Sequence, residues 1–439
     1  MIPLSFAQRR LWFIGQLEGP SAAYNVPWVL RLSGALDRAA LQQALLDVVR
    51  RHESLRTIFP AVDGEPFQEI VPADEIVLPI VWGDAGAEEV TALAAEAAGH
   101  VFDLASEIPV RARGFSVAPD EHVLVLLVHH IACDGWSSGP LGRDLAAAYA
   151  ARAAGTAPEW DELPVQYADY TLWQRELLGA EDDPGSVLAR QSAYWRAALT
   201  GAPEERGAAA PVVIDSPLHA RIAELARKTG VTPFMVVQAG LAALLSRLGA
   251  GTDIPLGTPV AGRVEEALHD LVGNFVNTLV LRTDLSGDPT FREVLARVRN
   301  TDLAALENQD LPFERLVEIL DTPRSPARHP LFQVMVAFDT DDRVAFELPG
   351  LRVTEMAGPA WDTAKFDLNF EFREQHEPDG RPAGIAGTVE YATDLFDHDT
   401  VQALAGRFVR LMEQLTAQPD QRVGLVDILT DRERGLLLE

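Results

Sequence analysis

EHVLVLLVHHIACDGWSSGP, residues 121–140, opens with the apolar run Val123 to Val128. The run is too short to cross a bilayer and suits a strand buried on both faces. It ends in His129 and His130, and Asp134 and Gly135 follow closely. A rigid strand that delivers titratable groups at its end, with a glycine turn after it, is a common way to build a site. Neighbouring strand residues point to opposite faces, so one histidine is a candidate general base and the other a structural one. Histidine suits proton transfer because its ordinary pKa, about 6.5, lies near working pH. Asp134 is placed to orient the loop through an ion pair or to hold an imidazole in one tautomer. His and Asp alone supply no zinc-type ligand set. Taken by themselves, two histidines at a strand end are more simply explained by buried, hydrogen-bonded packing.

Elements on either side read as alternating strands and helices. Residues 25–31 form a strand, and Asp37 caps a helix with the stripe Leu41, Ala44, Leu45, Val48 and Val49. Strands are expected at Leu55–Phe59, Pro66–Val71, Ile76–Trp82 and Val110–Val117, with a helix at Glu88–His100. Helices follow at Pro140–Ala153, Asp169–Leu178 and Gln191–Leu199. The Pro/Gly-bearing segments Gly179–Ser186 and Gly201–Ala210 are candidate boundaries. Strand Pro211–Ile214 and helix Pro217–Gly230 restart the pattern, and Thr232-Pro233 begins a helix, Phe234–Leu248, apolar nearly all round. Strands Ile254–Pro259, Val276–Leu281, Phe332–Phe338, Phe366–Phe372 and Ile385–Tyr391 accompany helices Phe291–Leu306, capped by Thr290, and Thr400–Gln418. The mixture predicts an α/β or α+β sandwich twice over, divided as residues 1–178 and 179–439.

A chain of 439 residues fits two or three domains, and at 47% hydrophobic residues each can bury a core. The net charge of −28 disfavours nucleic acid and anionic membranes as partners. Cys133 is the one cysteine, so no intramolecular disulfide forms, which fits a reducing cytoplasm. MIPLSFAQRR at the start has no secretion-signal pattern, and no apolar run is expected to span a bilayer.

HHIACDG resembles the HHxxxDG motif of nonribosomal peptide synthetase condensation domains. LSFAQRRLWF (4–13), RHESLRTIF (51–59), YADYTLWQ (167–174), VGNFVNTLVLR (272–282), NQDLPFERL (308–316) and RSPARHPLFQV (324–334) resemble the family's other six motifs, in the family's order. The ordered set covers nearly the whole chain and is far more specific than any one motif. The resemblance implies two chloramphenicol-acetyltransferase-like lobes arranged as a V-shaped pseudo-dimer, with the motif at the floor of a central tunnel. It implies peptide-bond formation between a donor peptidyl or aminoacyl thioester and an acceptor aminoacyl amine, in the assembly of secondary metabolites such as antibiotics or siderophores.

Upstream donor and downstream acceptor carrier proteins are the implied partners, and they supply the 4′-phosphopantetheine; no cofactor of the domain's own and no metal is implied. The tail from about 423 resembles the linker to an adjacent adenylation domain. At the site, the resemblance makes His130, with His129 and Gly135, the catalytic group. Asp134 becomes structural, with Arg263 as its partner and Arg56 as the other candidate. Cys133 falls at a variable motif position and reads as filler. Asn274 likewise stands at a variable position of the fifth motif. His129 excludes the heterocyclisation group, which replaces the first histidine. Epimerisation domains share HHxxxDG but differ in the later motifs. Condensation-like platforms that recruit other enzymes typically lose the second histidine or the glycine; His130 and Gly135 are both present. The motif set resembles most the group that joins a D-configured donor to an L-configured acceptor.

Overall fold

A computed structural model describes residues 1–19, 21–179, 183, 186–188, 190–191, 209–320, 330–340, 348–356, 366–429 and 433–435. It divides into two compact units.

The first unit is built on a five-stranded sheet in the order Arg352–Glu355, Asn25–Ser33, Glu121–His129, Val110–Ala118, Ile80–Asp84. All neighbours are antiparallel except the last pair. Glu121–His129 lies in the middle, so both its edges are paired. Leu124, Leu126 and Val128 pack with the helices Arg38–Arg51 and Ser138–Ala153, while Val123 and Val125 pack with Val90 and Ala94 of the helix Val90–Ala98. Cover on both faces is why this strand is a continuous apolar run and not an alternating one. A smaller sheet joins Ile2–Pro3, Glu65–Ile70, Thr57–Ile58 and Ala61–Val62.

The second unit carries a six-stranded sheet ordered Asn277–Asp284, Asp253–Val260, Val334–Thr340, Leu368–His376, Pro382–Tyr391, Ala210–Ile214. Helices Ser216–Thr229, Pro233–Leu245, Phe291–Leu306 and His398–Ala417 share its core, in which Phe291, Phe370 and Phe408 are fully buried. Local chemistry sets the helix starts. The Asp37 side chain accepts from Ala40 N–H, Thr232 from Met235 N–H, and Thr290 forms a capping box with Glu293. Gly230 ends its helix in the left-handed conformation, φ 70°.

Several expectations change. Leu55–Phe59 is not one strand: Glu53–Arg56 is a 3-10 turn and only Thr57–Ile58 is extended. Thr57 Oγ1 bonds back to the Glu53 carbonyl at 2.7 Å and holds that turn. The strand expected at Ile76–Trp82 begins at Ile80. The division at 178/179 misses two segments, since Ala261–Val276 and the described residues 348–356 belong to the first unit. The first is held there by Arg263, and the second by the pairing of Arg352–Glu355 with Asn25–Ser33. By length and composition Pro233–Ala250 would suffice to cross a membrane, contrary to the expectation that no segment would. Met235 to Leu244 are all buried in the core of the second unit, which accounts for their apolarity. The tail from 423 begins as packed structure, with Val423, Val426 and Ile428 in that same core. Most of Gly179–Ser186, Gln191–Leu199 and Gly201–Ala210, and residues 324–329 of the seventh motif, lie outside the described residues.

Candidate functional site

The central strand ends at His129, and the chain turns sharply: Ala132 N–H donates to the His129 carbonyl and Cys133 N–H to that of His130. His129 is 6% exposed, its ring packs edge-on against Phe102, and its Nδ1 accepts the Ile131 N–H at 3.1 Å. That bond places the ring proton on Nε2. Burial, with a smaller effect from His130, pushes its pKa down to about 3. His129 is therefore a buried, neutral side chain with Nδ1 committed to the backbone. His130 is half-buried, and its N–H donates to the Tyr24 carbonyl at 2.8 Å.

Cys133 is fully buried, and burial pushes its thiol up, so it offers no nucleophile. Asp134 is also fully buried, and both oxygens are engaged. Oδ1 accepts from Ser137 N–H at 3.0 Å, Ser137 Oγ at 2.8 Å and Arg263 Nη2 at 2.9 Å. Oδ2 accepts from Arg263 Nη1 at 2.6 Å and Phe275 N–H at 3.0 Å. The Arg263 guanidinium also lies over the Phe275 ring, 4.2 Å from its centre. Arg56, the alternative partner, instead binds the Val71 carbonyl and Glu53. Gly262 makes the tight approach of Arg263 possible: its φ is 65°, and a Cβ there would stand 2.0 Å from the Phe275 carbonyl oxygen.

Gly135 differs from its neighbours. It is exposed, its φ is not positive, and a Cβ would meet nothing within 4 Å. Its N–H makes no hydrogen bond among the described residues. Neither backbone strain nor crowding within the unit demands glycine there. Trp136 beside it is 52% exposed, its indole N–H donating to the His269 carbonyl at 3.3 Å.

Motifs far apart in the chain converge behind this loop. Tyr167 Oη, fully buried, donates to the Asn274 carbonyl at 2.5 Å and lies 2.8 Å from Ser5 Oγ. Ser54 Oγ donates to the Val272 carbonyl at 2.7 Å, and Arg175 Nη2 to that of Leu4 at 2.7 Å. A Cβ on Gly273 would stand 2.2 Å from the Tyr167 ring, which is the reason for that glycine. In the second unit, Asn277 joins the fifth motif to the sixth: its Nδ2 donates to the Gln309 and Leu311 carbonyls, each at 2.8 Å, and its Oδ1 accepts the Phe313 N–H. Sequence reasoning assigned no role to Ser137 or Tyr167; the bonds that tie each to the 272–275 segment, to the Gly273 and Asn274 carbonyls, span more than 100 residues and leave no local pattern.

One group in the second unit has a metal-like composition, His219, Glu374 and His376. His219 Nδ1 accepts the Gly384 N–H at 3.2 Å, and Nε2 stands 2.7 Å from Glu374 Oε1. With Nδ1 an acceptor, Nε2 carries the proton and donates to Glu374, so His219 presents no lone pair to a metal.

A model of the condensation-domain family matches residues 1–438. The dimodular nonribosomal peptide synthase of Bacillus subtilis (strain 168) is 52% identical across the whole chain, which spans only 19% of that protein. Among solved structures, the X-domain from teicoplanin biosynthesis is 39% identical, with 98% of each chain matched at a TM-score of 0.90. The same X-domain has been solved in complex with OxyB. The first condensation domain of the CDA synthetase is 21% identical, with 98% of this chain and 99% of that one matched at a TM-score of 0.77, a likeness of fold alone. The ordered motifs, the mixed α/β architecture and the match along the full chain lead to one assignment: this chain belongs to the condensation-domain family of nonribosomal peptide synthetases.

Proposed function

We propose that this domain forms peptide bonds between two carrier-bound thioesters. The acceptor amine nitrogen attacks the donor thioester carbonyl. The C–N bond forms, the C–S bond breaks, and the thiol leaves with the proton given up by the amine. His130 orients that amine, takes up its proton as the C–N bond forms and passes it to the departing sulfur as the C–S bond breaks. The Gly135 N–H points its dipole at the developing oxyanion. Asp134 and Arg263 hold the loop and do not touch the reactants. The donor and acceptor arrive on the phosphopantetheine arms of separate carrier proteins, and an adenylation domain loads the acceptor. The motif set favours a D-configured donor residue.

The observation that carries this reading is Gly135. It is a glycine that the unit's own packing does not require, exposed, with an uncommitted N–H, on the loop that follows a half-buried histidine. A side chain there would project where a ligand's carbonyl has to come.

A second reading has one observation in its favour: the X-domain, solved in complex with OxyB, is 39% identical, against 21% for the first CDA condensation domain. On that reading the domain is a platform that docks another enzyme. Single-turnover transfer between two loaded carrier proteins separates the two. Transfer by the parent that disappears in a folded His130→Ala variant supports condensation. No transfer by the parent on any loaded pair rejects it and favours the platform.

A further inference from the structure

Ser137 is fully buried, and it directly precedes the helix Ser138–Ala153. Serine at a helix start ordinarily caps the first turn with its hydroxyl. Here the side chain makes no capping bond to its own helix. Its oxygen is used across the chain instead. Three donors stand within reach of its two lone pairs, the Asp134 N–H at 3.2 Å, the Gly273 N–H at 3.1 Å and Arg263 Nη2 at 3.3 Å. Its proton has two acceptors in reach, Asp134 Oδ1 at 2.8 Å and the Gly273 carbonyl at 3.0 Å. One small side chain thus touches the turn, the ion pair and the backbone of residue 273.

The residues enclosed by that turn are Gly135 and Trp136. Ser137 N–H donates both to the Asp134 side chain at 3.0 Å and to the Asp134 carbonyl at 3.2 Å, which closes the turn around them. The direction of the Gly135 N–H is therefore fixed by what fixes Asp134 and Ser137. Residue 273 is itself immobilised from the other side, through Ser54 on the Val272 carbonyl and Tyr167 on the Asn274 carbonyl. The Asp134–Arg263 pair supplies charge attraction, but the arginine reaches it on a long, rotatable stem. Two short links join the segments: Asp134 Oδ2 accepts the Phe275 N–H at 3.0 Å, and the Ser137 hydroxyl bonds backbone groups of both segments; a short link transmits position better than a long one.

We propose that Ser137 is a positioning residue for the condensation reaction: it clamps the 134–137 turn to the 271–275 segment and so aims the Gly135 N–H at the reacting carbonyl. The proposal rests on the condensation reading for its chemistry and on the hydrogen bonds for the clamp, so its test reads both.

The variants are Ser137→Ala, which removes the hydroxyl, and Ser137→Thr, which keeps it; Ser137→Cys stands in if the alanine variant does not fold. Steady-state condensation between loaded carriers gives kcat and KM, and amide hydrogen exchange follows the two segments. In Ser137→Ala, kcat should fall about ten- to a hundredfold, the scale of a small misplacement at a reacting centre. KM for either carrier should move less than about twofold, because the buried Ser137 side chain presents no surface to a carrier. The threonine variant should recover most of kcat. Exchange should quicken together in 134–137 and in 271–275, although only one carries the change. A folded alanine variant with parental kcat, or a threonine variant no better than alanine, overturns the positioning role. Faster exchange in the turn alone overturns the clamp. If the parent performs no condensation, the reading of function fails, and the exchange result still decides whether the clamp exists.

Discussion

Asp134 and Arg263 stand 129 residues apart in the chain and meet in a two-pronged ion pair, 2.6 and 2.9 Å, with neither side chain reaching solvent. A buried pair of this kind is costly to assemble and far more costly to break on one side. It is also what draws 261–276 into the unit that carries the histidine loop.

Asp134→Ala should therefore act first on stability. Leaving the guanidinium buried without its carboxylate costs about 3–5 kcal/mol. For a unit of this size that is a drop in Tm of roughly 10 °C. Thermal unfolding followed by circular dichroism checks it, with transfer activity measured well below the new Tm. An inactive variant that melts like the parent would make the aspartate a chemical participant and not a structural one.

Asp302 gives a pH dependence in the second unit. Its Oδ1 accepts from Gln238 Nε2 at 3.1 Å, while Asp302 Oδ2 and Gln238 Oε1 are buried without partners among the described residues. A proton on Oδ2 supplies a donor to this acceptor-rich pair, as an acid–amide pairing needs. Burial holds this carboxyl up at about 7, against the opposing effect of the Gln238 hydrogen bond. The folded pKa lies above the unfolded one, so the unfolded chain loses its proton first. Stability from this group is full below about pH 4, falls as pH rises, and is gone above about pH 7. Asp302→Asn makes the same two-point pairing without a titrating proton. It should gain on the parent across that window, by up to about 4 kcal/mol. Urea unfolding of both proteins at pH 5 and pH 8 measures the gain; a difference that does not widen with pH removes the acid–amide pair.

Donor stereochemistry is the third expectation, and it rests on the likeness of the whole motif set to the D-donor group. A chiral pocket discriminates most strongly by setting the wrong substituent against a wall. Matched D- and L-terminated donor thioesters, competing for one L-aminoacyl acceptor, should give mainly the D-derived product. Preference for the L donor would refute the subtype and leave condensation standing. Equal use would show that this domain is not the stereochemical gate.

Much of the fold could be read from local signals, because those signals act over a few residues. Val123–Val128 is apolar on both faces because both faces are covered, and Asp37, Thr232 and Thr290 mark helix starts through bonds to N–H groups three residues on. Membership of the family was equally legible, since it lies in the order of short motifs. How each of the two histidines is held was not legible. His129 and His130 are adjacent and chemically identical, and only the path of the chain gives one of them the Ile131 N–H and the Phe102 ring. Arg263 was named first as the partner of Asp134 only through the family resemblance, because charge alone does not tell one arginine from another. Arg56 is consumed by its own neighbours, Glu53 and the Val71 carbonyl, whereas Gly262 turns the chain so that Arg263 enters the space beside Asp134. The clamp at Ser137 is of the same kind. Its partners on residue 273 are backbone groups, identical at every position of the sequence, and burial of residue 273 against Tyr167 decides which of them it meets.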